Sequence, residues 1–107
     1  MQGRIREYTS ATLSPALSAA ENLFLVHFGT DWCTPCKRLE RVLLQLREDW
    51  GESVLLGKVN VEDEPELARA FAVTRNPTVC LFRSGELLVK REGFAEKPEL
   101  QALISGL

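Results

Sequence analysis

The 107-residue sequence is poor in metal-ligating residues and has no large excess of one charge. It contains 3 cysteines and 1 histidine, which leaves few ligands for a tetrahedral zinc site. Its 13 Lys and Arg oppose 15 Asp and Glu, for a formal net charge of -2. Nothing in this balance indicates a protein that binds nucleic acid or an anionic membrane surface. The function therefore has to be sought in local motifs.

Long hydrophobic runs are also missing. The longest apolar run, residues 23–28, is too short to cross a bilayer, and residues 1–23 lack an apolar core of signal-peptide length. We therefore expect a cytoplasmic protein. Hydrophobic residues make up 45% of the chain and charged residues 26%, as in ordinary globular proteins. This length and composition predict one domain over residues 1–107.

Strand-like and helix-like apolar patterns alternate along the chain. The predicted elements, in order, are a helix capped at Ser14-Pro15, a strand over residues 23–28, a helix from the cysteines to Gly51, a strand over 53–61, a helix over 62–73, strands over 77–82 and 86–92, and a helix over 97–107. A strand, crossover helix and strand give parallel pairing, and the later hairpin adds antiparallel strands. The sequence thus predicts an α/β fold, a mixed sheet with helices on both faces in a three-layer sandwich.

The stretch TDWCTPCKR, residues 30–38, places Cys33 and Cys36 three positions apart. Such a pair can be a structural disulfide, half of a metal site or a reversible redox couple. A disulfide between residues this close removes little entropy from the unfolded chain and is disfavoured in a reducing cytosol. A metal needs more ligands, and the candidates Cys80 and His27 both lie within apolar strand patterns. These arguments favour the redox couple.

The predicted helix start gives the two cysteines different chemistry. Unpaired amides and the positive end of the helix dipole favour an anion, so Cys33 is the expected nucleophilic thiolate. Pro35 has no amide hydrogen, and the Cys36 amide is therefore the expected donor to the Cys33 sulfur. Lys37 and Arg38 add positive potential. The thiolate attacks a partner's disulfide, and Cys36 then attacks Cys33 to release the reduced partner.

With these residues in place, the chain resembles the thioredoxin family over nearly its whole length. The matching features, in register, are the strand LFLVHF, DWCTPCK against the family's WCGPCK, Lys58 in KVN, NPT at 76–78, SGE at 84–86 and Gly93. The resemblance implies the thioredoxin fold, a thiol–disulfide oxidoreductase that reduces protein disulfides, and a cis bond before Pro77. It implies no bound cofactor, and it implies electrons from a flavin-dependent thioredoxin reductase. We expect a monomer.

The resemblance also implies a substrate-binding surface beside the cysteines. In the family, the backbone around the cis proline pairs with the substrate chain and covers the cysteine site. The expected substrate-binding residues are Trp32, Thr34, Pro35, Asn76, Pro77, Thr78 and Gly93. An ordinary turn is the competing interpretation of residues 76–77, since Asn-Pro often starts one. For Trp32, the aromatic surface beside the cysteines is itself suited to substrate packing.

One departure from the family pattern is His27, which stands where the family has a buried aspartate beneath the cysteine pair. Burial disfavours a charged imidazole, and the expected electrostatic partner Lys58 disfavours it further. His27 is therefore expected to be neutral near pH 7. Two interpretations stay open, a proton relay for Cys36 and a core histidine with no part in the chemistry.

Other departures bear on specificity and redox poise. Thr34 replaces the usual glycine and stiffens the loop between the cysteines. Gly29, with Thr30, replaces an aromatic residue and a small one, which opens space beside Trp32. The departures at Gly29, His27 and Thr34 together favour a dedicated relative over a general thioredoxin. Cys80, in an apolar strand pattern, is interpreted as a small buried hydrophobe rather than a regulatory thiol.

Two alternative functions remain open at this point. The same fold can act in the opposite direction as a thiol oxidase or isomerase, or as a redox relay with a shifted potential. The chain can also be a non-enzymatic binding module that keeps its cysteines incidentally. A much higher reduction potential indicates the first, and a function that survives loss of Cys33 indicates the second.

Overall fold

A computed structural model describes residues 5–107. The elements are β1 (Arg6–Glu7), α1 (Leu13–Ala19), β2 (Leu23–Gly29), α2 (Thr34–Trp50), β3 (Val54–Asn60), α3 (Pro65–Ala70), β4 (Thr78–Arg83), β5 (Glu86–Glu92) and α4 (Lys97–Ser105), with a 3-10 turn at Gly51–Ser53. The expectation about a signal peptide falls in part on residues 1–4, which lie outside the described residues. Over the described part, no helix has the length and apolar character needed to span a membrane.

The strands form one mixed sheet in the order β1-β3-β2-β4-β5. Strands β1 and β2 pair with β3 in parallel, whereas β4 pairs antiparallel with both β2 and β5. All seven residues of β2 are buried, as expected for the central strand of a sheet covered on both faces. The mixed sheet predicted from the sequence is confirmed.

The core is divided into two clusters by the sheet. Leu25 of β2 belongs to the cluster built with α2 and α4, whereas Phe24 and Val26 belong to the cluster built with α1 and the residues of α3. Because successive strand side chains point to opposite faces, one central strand supplies both clusters. The predicted three-layer arrangement is therefore confirmed.

The structure differs from the prediction at the boundaries of two helices and in one additional strand, besides shifts of one or two residues at the ends of other elements. Helix α1 begins at Leu13, so Ser14 lies in its first turn and Thr12 occupies the N-cap position. Helix α3 is shorter than predicted, because Ala72 adopts a left-handed conformation with φ of 54° and the helical ladder ends before it. Strand β1 was not predicted, since a two-residue strand carries no alternating pattern to detect.

The fold places the cysteine motif at the carboxyl end of β2. That strand ends at Gly29, residues 30–33 form a short loop, and α2 then begins. The antiparallel neighbour β4 starts at the same end, because Thr78 pairs with Phe28. The segment that precedes Thr78 therefore comes to the end of the sheet that carries the cysteine loop.

Candidate active site

Cys33 and Cys36 form a disulfide at the start of α2, with their Cα atoms 5.2 Å apart. Cys33 is the N-cap residue, and the Cys36 amide donates a hydrogen bond to the Cys33 sulfur at 3.3 Å, as predicted. Cys33 is 6% exposed and Cys36 only 1% exposed. The first cysteine is therefore the more accessible of the two, and a helix N-terminus faces its sulfur.

The predicted substrate-binding residues around the disulfide differ in exposure. Trp32 is 67% exposed, and its Nε1 donates to Glu62 Oε2 at 2.9 Å, which fixes the ring while leaving its apolar surface to solvent. Thr34 and Pro35 are exposed in the first turn of α2. This part of the predicted surface is open to a partner.

The segment before β4 contains the cis peptide bond between Asn76 and Pro77. Asn76 is exposed, and Pro77 is buried with its carbonyl oxygen accepting from the Gly93 amide at 2.7 Å. Gly93 has φ of 87°, a conformation that favours glycine. The Thr78 side chain is fully buried and donates to the Arg75 carbonyl at 2.7 Å, so this side chain is turned away from solvent.

His27 lies in the sheet beneath α2 and is 2% exposed. It pairs in register with Lys58 of β3, which places both side chains on the face that α2 covers. Within the described part of the chain, neither ring nitrogen has a hydrogen-bond partner. Burial, assisted by the charge of Lys58, lowers the pKa of His27 from 6.5 to about 4. The structure therefore has a neutral imidazole here at pH 7.

Glu40 of α2 joins this pair, a residue that the sequence reasoning did not select. Lys58 Nζ donates to Glu40 Oε2 at 3.2 Å, and the same oxygen lies 3.9 Å from His27 Nδ1, beyond hydrogen-bond distance. The available signal was its position four residues after Cys36, which puts both side chains on one face of the helix.

Gly29 lets Cys36 and His27 approach each other. A Cβ atom placed on Gly29 would lie 2.7 Å from Cys36 Sγ and 2.9 Å from His27 Nε2. The sulfur and the ring nitrogen are thus close to the same point in space. A side chain at this position needs one or both neighbours to move.

Cys80 is separated from the disulfide by the sheet. It pairs with Val26 and packs in the cluster on the α1 side, whereas Cys36 lies on the α2 side. Burial raises the pKa of the Cys80 thiol to about 11, with Lys90 acting weakly in the opposite direction. This environment supports the interpretation as a buried hydrophobe. Across residues 5–107, no group of three or more His, Cys, Asp or Glu is arranged to hold a metal ion.

Comparison with known proteins decides the family. The family model described as Thioredoxin matches residues 4–106. The chain belongs to the thioredoxin family. It is 31% identical over 101 residues to a thioredoxin of Buchnera aphidicola subsp. Acyrthosiphon pisum, covering 94% of both chains. It is 40% identical over 86 residues to a thioredoxin of Chlamydia caviae, covering 80% of this chain and 83% of the relative.

The fold is likewise that of the family. The crystal structure of a chloroplastic thioredoxin z superposes with a TM-score of 0.86 at 23% identity, covering 99% of this chain and 96% of the other. The sequence-based prediction of a thioredoxin fold is confirmed. As a member of the family, the chain is a thiol–disulfide oxidoreductase that acts on protein disulfides, and its Cys33-Cys36 pair fits the family's CxxC site.

Proposed function

We propose that this member of the thioredoxin family reduces protein disulfides with Cys33 as the nucleophile and Cys36 as the resolving thiol. The observation that carries the assignment is the position of Cys33 at the N-cap of α2, with greater exposure than Cys36 and a hydrogen bond from the Cys36 amide. A thiolate at this position is stabilised by the helix terminus. The Cys33 thiolate attacks a disulfide of the partner, which forms a mixed disulfide and releases the first partner sulfur as a thiolate. Cys36 then attacks Cys33, the bond between Cys33 and the partner breaks, and the second partner sulfur leaves as a thiolate.

The substrate is held in this proposal by the two segments that flank the disulfide. Trp32, Thr34 and Pro35 supply one side, with the exposed indole as the apolar anchor. The other side is the segment of Asn76 and Pro77, where β4 begins beside the end of β2. Thr78 and Gly93 support that segment, since Thr78 points inward and Gly93 bonds to Pro77.

His27 and Lys58 complete the proposed site from below. The neutral, buried imidazole of His27 is a proton acceptor for Cys36, which lies close to it across Gly29. Lys58 acts electrostatically, since its charge helps to keep the imidazole neutral.

In this proposal the protein is a single-domain monomer of the cytoplasm, where thiols are kept reduced, and a flavin-dependent thioredoxin reductase supplies its electrons. No bound cofactor takes part.

Trapping of the mixed disulfide tests the cysteine roles, with insulin as the disulfide-containing probe. We expect Cys36→Ser to accumulate a covalent adduct with insulin, because Cys33 still attacks and nothing resolves the product. The matched variant Cys33→Ser is expected to form no adduct and to lose turnover, since the remaining thiol of the pair is buried. Mass spectrometry of the unreduced samples measures both.

Two results contradict the proposal. An adduct with Cys33→Ser but not with Cys36→Ser would reverse the roles, and undiminished insulin reduction by Cys33→Ser would make the pair irrelevant to function.

The direction of electron flow is tested separately by the reduction potential of the pair. A reduction potential of about -270 mV, the one known for thioredoxin, supports a reductant, whereas a potential about 60 mV higher indicates an oxidant or isomerase.

A further inference from the structure

A small polar pocket lies behind the cysteine pair, between β3, the end of β2 and α2. Its volume is about 20 Å³, enough for roughly one water molecule. The ionisable side chains that line it are His27, Asp31, Glu40, Lys58 and, from β1, Glu7, and the neutral polar ones are Thr30 and Asn60. Buried polar atoms are normally hydrogen-bonded, yet three in this pocket have no partner within the described residues: both ring nitrogens of His27 and the Thr30 hydroxyl.

The imidazole of His27 stands between a sulfur and a carboxylate. Its Nε2 is on the side of Cys36 Sγ, since both atoms lie within 3 Å of the point where a Gly29 Cβ would be. Its Nδ1 faces Glu40 Oε2 at 3.9 Å. Cys36 and Glu40 are one helical turn apart on α2, so the helix presents the Cys36 sulfur and the carboxylate to opposite nitrogens of one ring.

Glu40 is held in this position and is also in contact with solvent. Its Oε2 accepts from Lys58 Nζ at 3.2 Å, and its side chain is 31% exposed. The 3.9 Å gap between Nδ1 and Oε2 is longer than a hydrogen bond, but a small movement of the partly exposed Glu40 side chain closes it. Once closed, the contact favours the neutral tautomer with a hydrogen on Nδ1, since that nitrogen then acts as the donor. The lone pair of Nε2 is consequently left on the Cys36 side.

We propose that Glu40 is a positioning residue that sets the tautomer of His27 and accepts the proton displaced from its Nδ1 when Cys36 is deprotonated. This inference rests on the proposed roles of Cys33, Cys36 and His27. It adds the carboxylate that connects the buried imidazole to solvent.

The proposed step couples a proton transfer to the attack of Cys36 on the mixed disulfide. In the mixed disulfide, the Cys36 proton passes to Nε2 while the Nδ1 proton passes to the Glu40 carboxylate. The freed electron pair on Cys36 bonds to Cys33, the bond between Cys33 and the partner sulfur breaks, and the partner leaves as a thiolate. Glu40 then gives its proton to water, and exchange with solvent in the pocket restores the tautomer. Because burial strongly disfavours a full imidazolium, simultaneous transfer at the two nitrogens is preferred.

The tautomer can be read directly, since His27 is the single histidine of the chain. Nitrogen-15 spectra of histidine-labelled, tag-free protein report the two ring nitrogens. We expect the Nδ1–H tautomer in the unmodified protein and a shift toward Nε2–H in Glu40→Met, which lacks the carboxylate and has only a weak acceptor in its thioether sulfur. The matched control Glu48→Met removes an exposed carboxylate from the same helix and should leave the spectrum unchanged. An Nε2–H tautomer in the unmodified protein overturns the proposal, whether or not any variant folds.

A second experiment measures rates. The reduced protein is mixed with the disulfide dithiobis(nitrobenzoate) in a stopped-flow instrument, and the release of nitrothiobenzoate is followed. The first nitrothiobenzoate release reports attack by Cys33, and the second reports resolution by Cys36. We expect Glu40→Gln to slow the second release by about tenfold or more at pH 7, with the first unchanged within about twofold. Glu40→Asp should restore most of the rate, and Glu48→Gln should have none of the effect.

The outcomes separate this inference from the proposed function. If the unmodified protein shows no second release, the roles of the cysteines are wrong. If both releases occur and Glu40→Gln matches the unmodified protein in rate and pH profile, only the role of Glu40 is overturned. Equal slowing of both releases indicates a merely structural effect of the substitution and also overturns it.

Discussion

At the scale of single residues, two departures from the family pattern, His27 and Gly29, occupy adjoining space. Histidine is larger than the aspartate expected at position 27, and the ring nitrogen Nε2 reaches to within 2.9 Å of where a Cβ of residue 29 would lie. Gly29 leaves that volume to His27 and Cys36. The two substitutions are therefore coupled sterically, although they are separate departures in the sequence.

The buried imidazole makes stability depend on pH. The pKa of His27 falls from its ordinary value of 6.5 to about 4 in the fold, so the unfolded chain binds a proton over this window that the folded chain does not. We expect the free energy of unfolding to be highest above pH 6.5, to fall by about 3 kcal/mol as the pH is lowered to 4, and to level off below pH 4 as far as this group is concerned. Urea denaturation at a series of pH values measures it.

The control for that experiment is His27→Gln, which keeps a polar side chain that does not ionise between pH 7 and pH 4. Glu40 and Lys58 face the imidazole, and Glu7 and Asp31 line the same pocket, so their own titrations are present in both proteins. The difference between the two curves isolates His27. Parallel curves from pH 7 to pH 4 would show that the imidazole is not the cause.

At the scale of elements, helix α2 has two roles: its N-terminus carries the cysteines, and its buried face packs against the sheet. Its N-terminus carries Cys33 and Cys36, and its buried stripe of Leu39, Leu43 and Leu46 packs against the sheet. These leucines are 0% exposed. Because the helix is fixed along its length, the cysteines and Glu40 are held at defined positions over His27. Packing far from the site thus sets the geometry of the site.

Truncating that stripe should be costly. We expect Leu43→Ala to lower the free energy of unfolding by about 3 kcal/mol, because it removes buried methyl groups and leaves a cavity between helix and sheet. Chemical denaturation with a two-state fit measures the loss. Gln45→Ala, an exposed position of the same helix, should change it by less than about 0.5 kcal/mol. Similar losses in the two variants would contradict the packing of the stripe against the sheet.

At the scale of the whole molecule, we propose that the chain folds as one cooperative unit. Its Cα radius of gyration is 12.5 Å, close to the value of about 13 Å expected for a compact domain of this length. Both core clusters use residues of the same central strand, so neither can be built without β2. Loss of one cluster therefore exposes part of the other.

A single unfolding transition is the expected consequence. Tryptophan fluorescence reports the surroundings of Trp32 and Trp50, at the two ends of α2, and far-ultraviolet circular dichroism reports the helices and sheet. For the disulfide form, we expect the two signals to change together in urea, with sedimentation showing a monomer before the transition. Separate midpoints would indicate independent units, and a dimer would contradict the expected oligomeric state.

Much of the fold could be predicted from the sequence because its signals are local. The apolar run that became β2, the leucines at helical spacing in α2 and the Ser84-Gly85 turn each specify their own element. The failures have local causes as well. The two residues of β1 carry no periodic signal, and the end of α3 depends on the left-handed conformation of Ala72, which alanine rarely adopts.

The sequence by itself determined the chemistry of this protein, since a CxxC pair at a helix start provides two thiols in unequal surroundings wherever the helix lies. Only the tertiary structure decided what surrounds that pair. Glu40, His27 and Lys58 come from three elements, and the parallel register of β2 with β3 and the packing of α2 bring them together. Proximity between distant residues depends on strand register and helix placement, which no local pattern specifies.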